Sequence, residues 1–309
     1  MPTFDVSVVG ELNLDLILSG LPPAIELDRE HLAKDLTITL GSSSAIFAHN
    51  LALLGNRVGF SSAIGSDRLG EICLERLGES GVDLSRVRKF AGKLTGLTVI
   101  LPQQTKRYIL TYPGTMFEMK FEDLDLEYIF SAKHFHLSSY FLQRALRPRI
   151  SELFREAKRA GLTTSLDTND DPEDEWALDL LQVLPYVDVL LPNEQEACRM
   201  ARKNDPDEAA DFLATKVALV VIKRGAKGVV ARRGSETFTA MPQKIEATDS
   251  VGAGDSFDAG FLHKFVRGAG IEECLAYGNL TGALSVTRAG GTEAFRDANH
   301  REQFLANRA

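Results

Sequence analysis

At 309 residues, with 44% apolar content and a formal net charge of −8, the chain is long enough to fill one large α/β core without disulfides. The acidic balance argues against a nucleic-acid partner, because backbone binding draws on clustered Lys and Arg, and no apolar run approaches a membrane span. Cys73, Cys198 and Cys274 form no C-x-x-C pair, and Met1-Pro-Thr-Phe-Asp lacks the basic-then-apolar layout of a signal peptide, so a reducing cytoplasm is expected.

Phe4 to Val9 is a short apolar run of β type stopped by Gly10, and Glu11 to Leu18 then alternates polar with apolar. Asn13 and Asp15 therefore share one strand face. An amide beside a carboxylate suits a polyhydroxylated ligand, since the carboxylate accepts from hydroxyls and the amide both donates and accepts. The same spacing also describes the polar face of an edge strand. Gly41 to Gly55 reads as a loop and then a helix, with Ile46, Leu53 and Leu54 among its apolar residues. Asp67, in Ile64-Gly-Ser-Asp-Arg-Leu-Gly70, reads as an acid that holds its own turn. Thr95 to Leu101 and Lys106 to Tyr112 alternate on either side of the turn Pro102 to Thr105. They form a hairpin that, with the strand after Asn13, makes a small sheet apart from the main body.

From Ala132 onward strand and helix alternate, which marks a parallel sheet covered on both faces. His134 and His136 share a strand face, but no third His or Cys stands near to complete a zinc site. A helix from Ile150 to Ala160 leads to a strand whose carboxyl end carries Asp167 and Asn169, the edge where open α/β sheets bind ligands. The strand Val187 to Leu191 runs into Pro192-Asn-Glu-Gln-Glu196, which opens a helix. Acids there are ordinary dipole partners, and the hard oxygens of Asn193 and Glu196 also suit magnesium that keeps most of its waters. Val217 to Ile222 ends in the basic glycine turn Lys223-Arg-Gly-Ala-Lys-Gly228, a contact for nucleotide phosphates in which the pattern singles out no one side chain. A helix from Cys274 to Thr287 is terminated by Ala289-Gly-Gly-Thr292.

The most informative stretch is Asp249-Ser-Val-Gly-Ala-Gly-Asp-Ser-Phe-Asp-Ala-Gly-Phe261. Phe257, Phe261, Leu262, Phe265 and Val266 fall along one helical face, so a helix is expected to begin near Asp255. Gly252 and Gly254 leave no side chain in front of its free N–H groups, which makes an anion site. Asp255 reads either as a helix cap or as a base that accepts a proton from an attacking hydroxyl. The helix dipole is expected to depress its pKa. A third glycine for a Rossmann fingerprint is missing, because Phe257 stands there, and no Gly-x4-Gly-Lys-Ser/Thr occurs.

Asp249 to Phe261 resembles the C-terminal signature of the PfkB/ribokinase family of small-molecule kinases, and the likeness extends from Val8 to about Thr292. The resemblance implies one ribokinase-like α/β domain over residues 1–309, with a mostly parallel central sheet flanked by helices on both faces. A small β-sheet lid is built from segments about 13–39 and 92–112, often shared across a dimer. It implies that Gly252, Ala253 and Gly254 form an anion hole and that Asp255 is the catalytic base. Asn13 and Asp15, in Gly10-x-x-Asn13-x-Asp15, would contact substrate hydroxyls together with Gly41, Ser42 and Asp167. Asn193 and Glu196 match an Asn-x-x-Glu motif that organises magnesium through water. Lys223, Gly225, Gly228 and Asn279 would line the ATP site, and potassium often binds beneath the loop that carries Asp249. The chain departs from the family at Ser42 and Ile46, where a glycine and an asparagine are usual; Asn50, one helical turn beyond Ile46, is the residue expected to take over the lost amide. The activity implied is ATP-dependent phosphorylation of a small sugar or sugar acid of the fructose, 2-keto-3-deoxygluconate or ribose type. The alternatives are a nucleoside kinase, with Phe47, Tyr112 or Phe117 stacking on the base, and a non-catalytic sugar or nucleotide sensor.

Overall fold

A computed structural model describes residues 2–103, 106–176 and 179–308. The strands are β1 (Phe4–Val9), β2 (Asn13–Ser19), β3 (Asp35–Leu40), β4 (Val58–Gly65), β5 (Asp83–Phe90), β6 (Gly96–Gln103), β7 (Lys106–Tyr112), β8 (Ala132–Ser138), β9 (Thr163–Asp167), β10 (Val189–Leu190), β11 (Leu219–Lys223), β12 (Val229–Arg233) and β13 (Glu236–Ala240). The helices are α1 (Ser43–Leu53), α2 (Arg68–Gly78), α3 (Leu126–Phe130), α4 (Ile150–Arg159), α5 (Asp179–Val183), α6 (Glu194–Ala201), α7 (Pro206–Ala214), α8 (Ala253–Phe265), α9 (Ile271–Ser285), α10 (Glu293–Arg296) and α11 (Ala298–Ala306).

Nine strands form one sheet in the order β13-β12-β11-β10-β9-β8-β1-β4-β5. From β5 to β11 every pairing is parallel, and β12 and β13 close one edge antiparallel. Val220 and Ile222 face a core shared with α3 to α7, while Val221 faces a second core shared with α1, α2, α8 and α9. A strand buried on both faces needs apolar residues at successive positions, which is why β4 and most of β1 are buried throughout. The chain departs from β1 to one side and from β8 to the other, so the strand order reverses between them. A crevice opens outside the carboxyl ends at such a point.

The second sheet has the order β3-β2-β6-β7, with β2 and β6 parallel and the outer pairs antiparallel. β2 therefore lies between two partners, which removes the edge-strand explanation for Asn13 and Asp15. The hairpin strands β6 and β7 lie as expected, while Gln104 and Thr105 of the expected turn fall outside the described residues. Asp67 caps α2 through Gly70 N and also accepts from Thr95 N and Oγ1, a structural role as expected. Among the described residues no helix is long and apolar enough to cross a membrane.

Two helix starts differ from the sequence expectation. α8 starts at Ala253, so Asp255 is a first-turn residue and not the cap, which is Gly252. α9 starts at Ile271, because Gly270 supplies the extended cap and Glu272 and Glu273 suit the positive end of the helix.

Candidate active site

Asn13 and Asp15 project from one face of β2 and are 1% and 5% exposed. Asn13 Nδ2 donates to Leu14 O at 3.0 Å, Thr98 Oγ1 at 3.3 Å and Asp15 Oδ1 at 3.4 Å. Its Oδ1 is buried and has no donor, an orphan acceptor that a ligand hydroxyl can satisfy. Gly41 lies against this pair: a Cβ there would stand 2.1 Å from Asp15 Oδ1, so the position tolerates only glycine. Burial, and after it the charge of Asp255, raise the Asp15 carboxyl to about 7.

The Ser42 hydroxyl and the fully buried Asn50 amide are both engaged inside the protein, which corrects the expectation for these side chains. Ser42 caps α1 at φ 68°, its Oγ donating to Glu11 O and accepting from Ala45 N. Asn50 Nδ2 donates to Ser256 Oγ and Gly291 O, both at 2.9 Å, and Oδ1 contacts His49 Nδ1 at 2.8 Å. Four residues along a helix is an axial step of about 6 Å, and here the step leads away from the crevice and under α8. Ile46, one turn earlier, packs its side chain against Gly252 and Gly291.

The glycine turn is braced from several directions. Asp249 accepts from Val251 N at 3.1 Å and from Gly290 N at 2.9 Å, so its carboxylate ties two loops together. Gly252 has φ 72°, and a Cβ there would stand 2.5 Å from Gly291 Cα, so only glycine fits. Ala253 N makes a long bond of 3.4 Å to Ser250 O, while among the described hydrogen bonds the N–H groups of Gly252, Gly254 and Asp255 reach no protein acceptor. Three open donors at a helix N-terminus form an anion cradle.

Asp255 is 9% exposed, and burial, with Asp167 next in importance, raises its carboxyl to about 7 even though Lys223 opposes the shift. The expected depression by the helix dipole is thus overturned, because desolvation and a neighbouring acid outweigh it. Lys223 is not a loose phosphate contact on a surface turn either. Its Nζ donates to Asp167 Oδ2 at 2.7 Å and to Asp258 Oδ1 and Oδ2 at 3.2 and 3.1 Å, inside the protein. Asp167 is therefore engaged with Lys223 and does not present a free carboxylate to a sugar. Although burial opposes it, these acids hold the ammonium above its usual range.

A cavity of about 840 Å³ opens beside this cluster, lined among others by Lys223, Gly225, Gly228, Ala253, Gly254 and Asn279. Six of the expected nucleotide and anion-hole residues thus meet in one space of the size of a ligand pocket. Asn279 Nδ2 holds the opposite wall by donating to Ala240 O at 3.1 Å and Met241 O at 2.9 Å. Asn193 and Glu196 bond to each other in a reciprocal capping box: both Glu196 oxygens accept from Asn193, whose Oδ1 accepts from Glu196 N. Burial and then Asp167 raise Glu196 to about 8. The pair fits a magnesium ion through water rather than by direct ligation.

Sequence reasoning passed over three polar residues. Glu11 is buried and accepts from Ser44 Oγ, Ser139 Oγ and Gln143 Nε2 at 2.7 to 2.9 Å. Asp258 carries a readable signal, since it stands at i+3 from Asp255 on a helix. Arg107 carries none; it sits in an exposed strand and reaches Ser250 Oγ at 2.9 Å. His134 and His136, by contrast, have every ring nitrogen bonded to Thr163, Ser165 or Ser138 at 2.7 Å.

An anion cradle at a helix start, an acid beside it and a cavity at the carboxyl edge of a parallel sheet define a phosphotransferase. Residues 3–298 match the family model described as pfkB family carbohydrate kinase, and the chain belongs to that family. It is 32% identical over 272 residues to a cytidine kinase of Thermococcus kodakarensis, covering 86% of this chain and 93% of that one. It is 28% identical over 288 residues to an ATP-dependent ribose-1-phosphate kinase of Halopiger xanaduensis, covering 92% and 93%. A ribokinase II-type chain from E. coli solved with ATP and Mg2+ superposes with a TM-score of 0.85 at 25% identity, over 98% of this chain and 99% of that one. The enzyme is a carbohydrate kinase with the ribokinase fold.

Proposed function

We propose that this kinase transfers the terminal phosphoryl group of ATP to a hydroxyl of a small sugar or sugar acid held against Asn13 and Asp15. The observation that carries the reading is the pairing of Asp255 with the open N–H groups of Gly252 and Gly254. Asp255 accepts the proton of the attacking hydroxyl, and the N–H groups take up charge on the moving phosphoryl group. The orphan Asn13 oxygen and the Asp15 carboxyl orient the acceptor. Asn193 and Glu196 would hold magnesium through water, and the ion would supply charge neutralisation at the phosphates. A potassium ion beneath the Asp249 loop belongs to the same reading and is checked by comparing rates in potassium and sodium salts.

The aromatic residues favour a sugar over a nucleoside. Phe47 is fully buried and stacks on His136 at 4.0 Å. Tyr112 pairs with Leu97 on the sheet face opposite to Asp15, and Phe117 packs under the Arg144 guanidinium at 4.3 Å. Phe47 and Phe117 are thus engaged elsewhere, and Tyr112, though exposed, lies on the face away from Asp15.

The small sheet is the lid in this reading. It meets the body through Arg107 and Ser250, through Ile17 and Ile100 against Val251, and through Thr39 against Glu293. Its outer face carries the register row Ile38, Leu16, Val99, Leu110, with Ile38 and Leu110 47% and 56% exposed. An apolar face of that kind fits a second copy of the chain, giving a homodimer. The free cysteines suit a reducing, cytoplasmic compartment.

A coupled assay of ADP release on fructose, ribose, 2-keto-3-deoxygluconate and adenosine tests the reading. Turnover on a sugar or sugar acid supports it, turnover on adenosine alone replaces it with a nucleoside kinase, and no turnover on a broad panel leaves a sensor.

A further inference from the structure

Asp258 is 1% exposed and has no part in the chemistry described above. Its partner is Lys223, whose ammonium has three N–H donors. One goes to Asp167 and one is shared by the two Asp258 oxygens. The third is left on the side of the cavity, where Nζ lies 3.5 Å from the point a Cβ on Gly254 would occupy. Two buried carboxylates on one ammonium leave a net negative charge directly beneath a cradle built for phosphate. Such a charge is costly to bury and repels the ligand.

We propose that Asp258 is a positioning residue that stays protonated at neutral pH, donates that proton in a hydrogen bond to Asp167, and so gives Lys223 a neutral seat from which its third N–H faces the nucleotide phosphates. The inference rests on reading the cavity as the nucleotide site. The surroundings of Asp258 agree with it. Burial drives its carboxyl well up, with Asp167 and Asp255 acting in the same direction and Lys223 against them. Asp167, though buried, is held below the usual carboxylate range by Lys223 and by the Asp258 hydrogen bond. Glu196 on α6 faces Lys223 and Asp167, and His136 on β8, neutral through burial, faces Asp167 and Lys223. The Lys223 bonds agree, being 2.7 Å to Asp167 and 3.1 and 3.2 Å to Asp258, as a full charge on Asp167 requires.

An amide reproduces a protonated carboxyl and an alanine does not, so Asp258→Asn and Asp258→Ala separate this arrangement from a plain ion pair. Calorimetric titration with Mg-ATP is expected to give Asp258→Asn an affinity within about threefold of the parent, and Asp258→Ala a loss of at least about tenfold. The infrared difference spectrum of parent minus Asp258→Asn, taken at about pH 7, where the carboxyls common to both proteins largely cancel, is expected to show a protonated-carboxyl band. An Asp258→Asn variant as weak as Asp258→Ala, an Asp258→Ala variant that binds normally, or a difference spectrum without that band overturns the proposal. If Asp258→Ala does not fold, the amide variant and the spectrum decide. A parent that binds no Mg-ATP would sink the nucleotide reading instead, and the infrared band would still decide the proton.

Discussion

Arg107, on the outermost strand of the small sheet, donates from Nη1 to Ser250 Oγ at 2.9 Å across the crevice. Ser250 borders the ATP-sized cavity, and the charge of Arg107 lowers the proton affinity of Asp15. One side chain thus touches the nucleotide end of the crevice and acts electrostatically on the acceptor end. Arg107→Met is expected to reduce kcat by at least about tenfold if the sheet closes over the reactants, because a charge-assisted contact across the crevice is then lost. The melting temperature should barely move, because the bond is exposed. Steady-state kinetics beside a thermal melt check this, and an unaltered kcat would show the contact to be incidental.

Asp255→Asn should fold and lose at least about two orders of magnitude in phosphorylation. It should also be more stable than the parent in alkali. The folded-state pKa of Asp255 is raised from 3.8 to about 7, so between those values the native chain binds the proton more tightly than the unfolded chain. Stability from this group is therefore lost as pH rises across that window. The variant, which has no proton to lose, should equal the parent near pH 4 and exceed it near pH 8 by at most about 4 kcal/mol. Denaturant titrations at both pH values measure the difference.

kcat/KM should rise as pH climbs through about 7, because Asp255 must be ionised to accept a proton. Asp15 titrates in the same range and feels the charge of Asp255, so the profile belongs to the pair. Asp15→Asn should leave one simpler ionisation with an inflection at lower pH. A flat profile from pH 5 to 9 would remove Asp255 from proton transfer.

Ser42→Gly should stabilise the protein and leave its kinetics unchanged. Ser42 is held at φ 68°, a left-handed conformation that costs a residue with a Cβ about 1–2 kcal/mol. Replacing a serine cap by glycine costs only a few tenths. The expected net gain is about 1 kcal/mol, read by denaturant unfolding; a large change in acceptor KM would restore Ser42 to the substrate site.

Leu110→Glu places a charge at the β7 end of the apolar row on the outer face of the small sheet, where Leu110 is exposed. Sedimentation velocity is expected to show the parent as a dimer and the variant as a monomer. Adding sugar and nucleotide should also make the molecule more compact in solution scattering if the sheet closes.

The chain displays its fold openly because the features that specify it are local. Alternation in β2, β6 and β7, the apolar run of β1 and the glycine turn before α8 each lie within a few residues, and the structure places them as their periodicity requires. What escaped was decided by partners distant in sequence. Lys223 looked like one basic residue in a surface turn, yet it is buried between acids 56 and 35 residues away. Asn50 has the right spacing from Ile46, but the direction of α1 carries it under α8. The pKa of Asp255 followed the same rule: the helix dipole is visible in sequence, whereas burial and Asp167 are not.

Gly291 backs directly onto the Gly252 turn, Gly290 anchors it through Asp249, and Ile46 fills the space behind. The phosphate cradle is therefore held in shape by a segment that follows α9 and contains none of the reacting groups. A chain cut before that segment would keep every residue that touches the reactants and lose the wall that fixes their spacing, so the tail can retune this enzyme without any change to its chemistry.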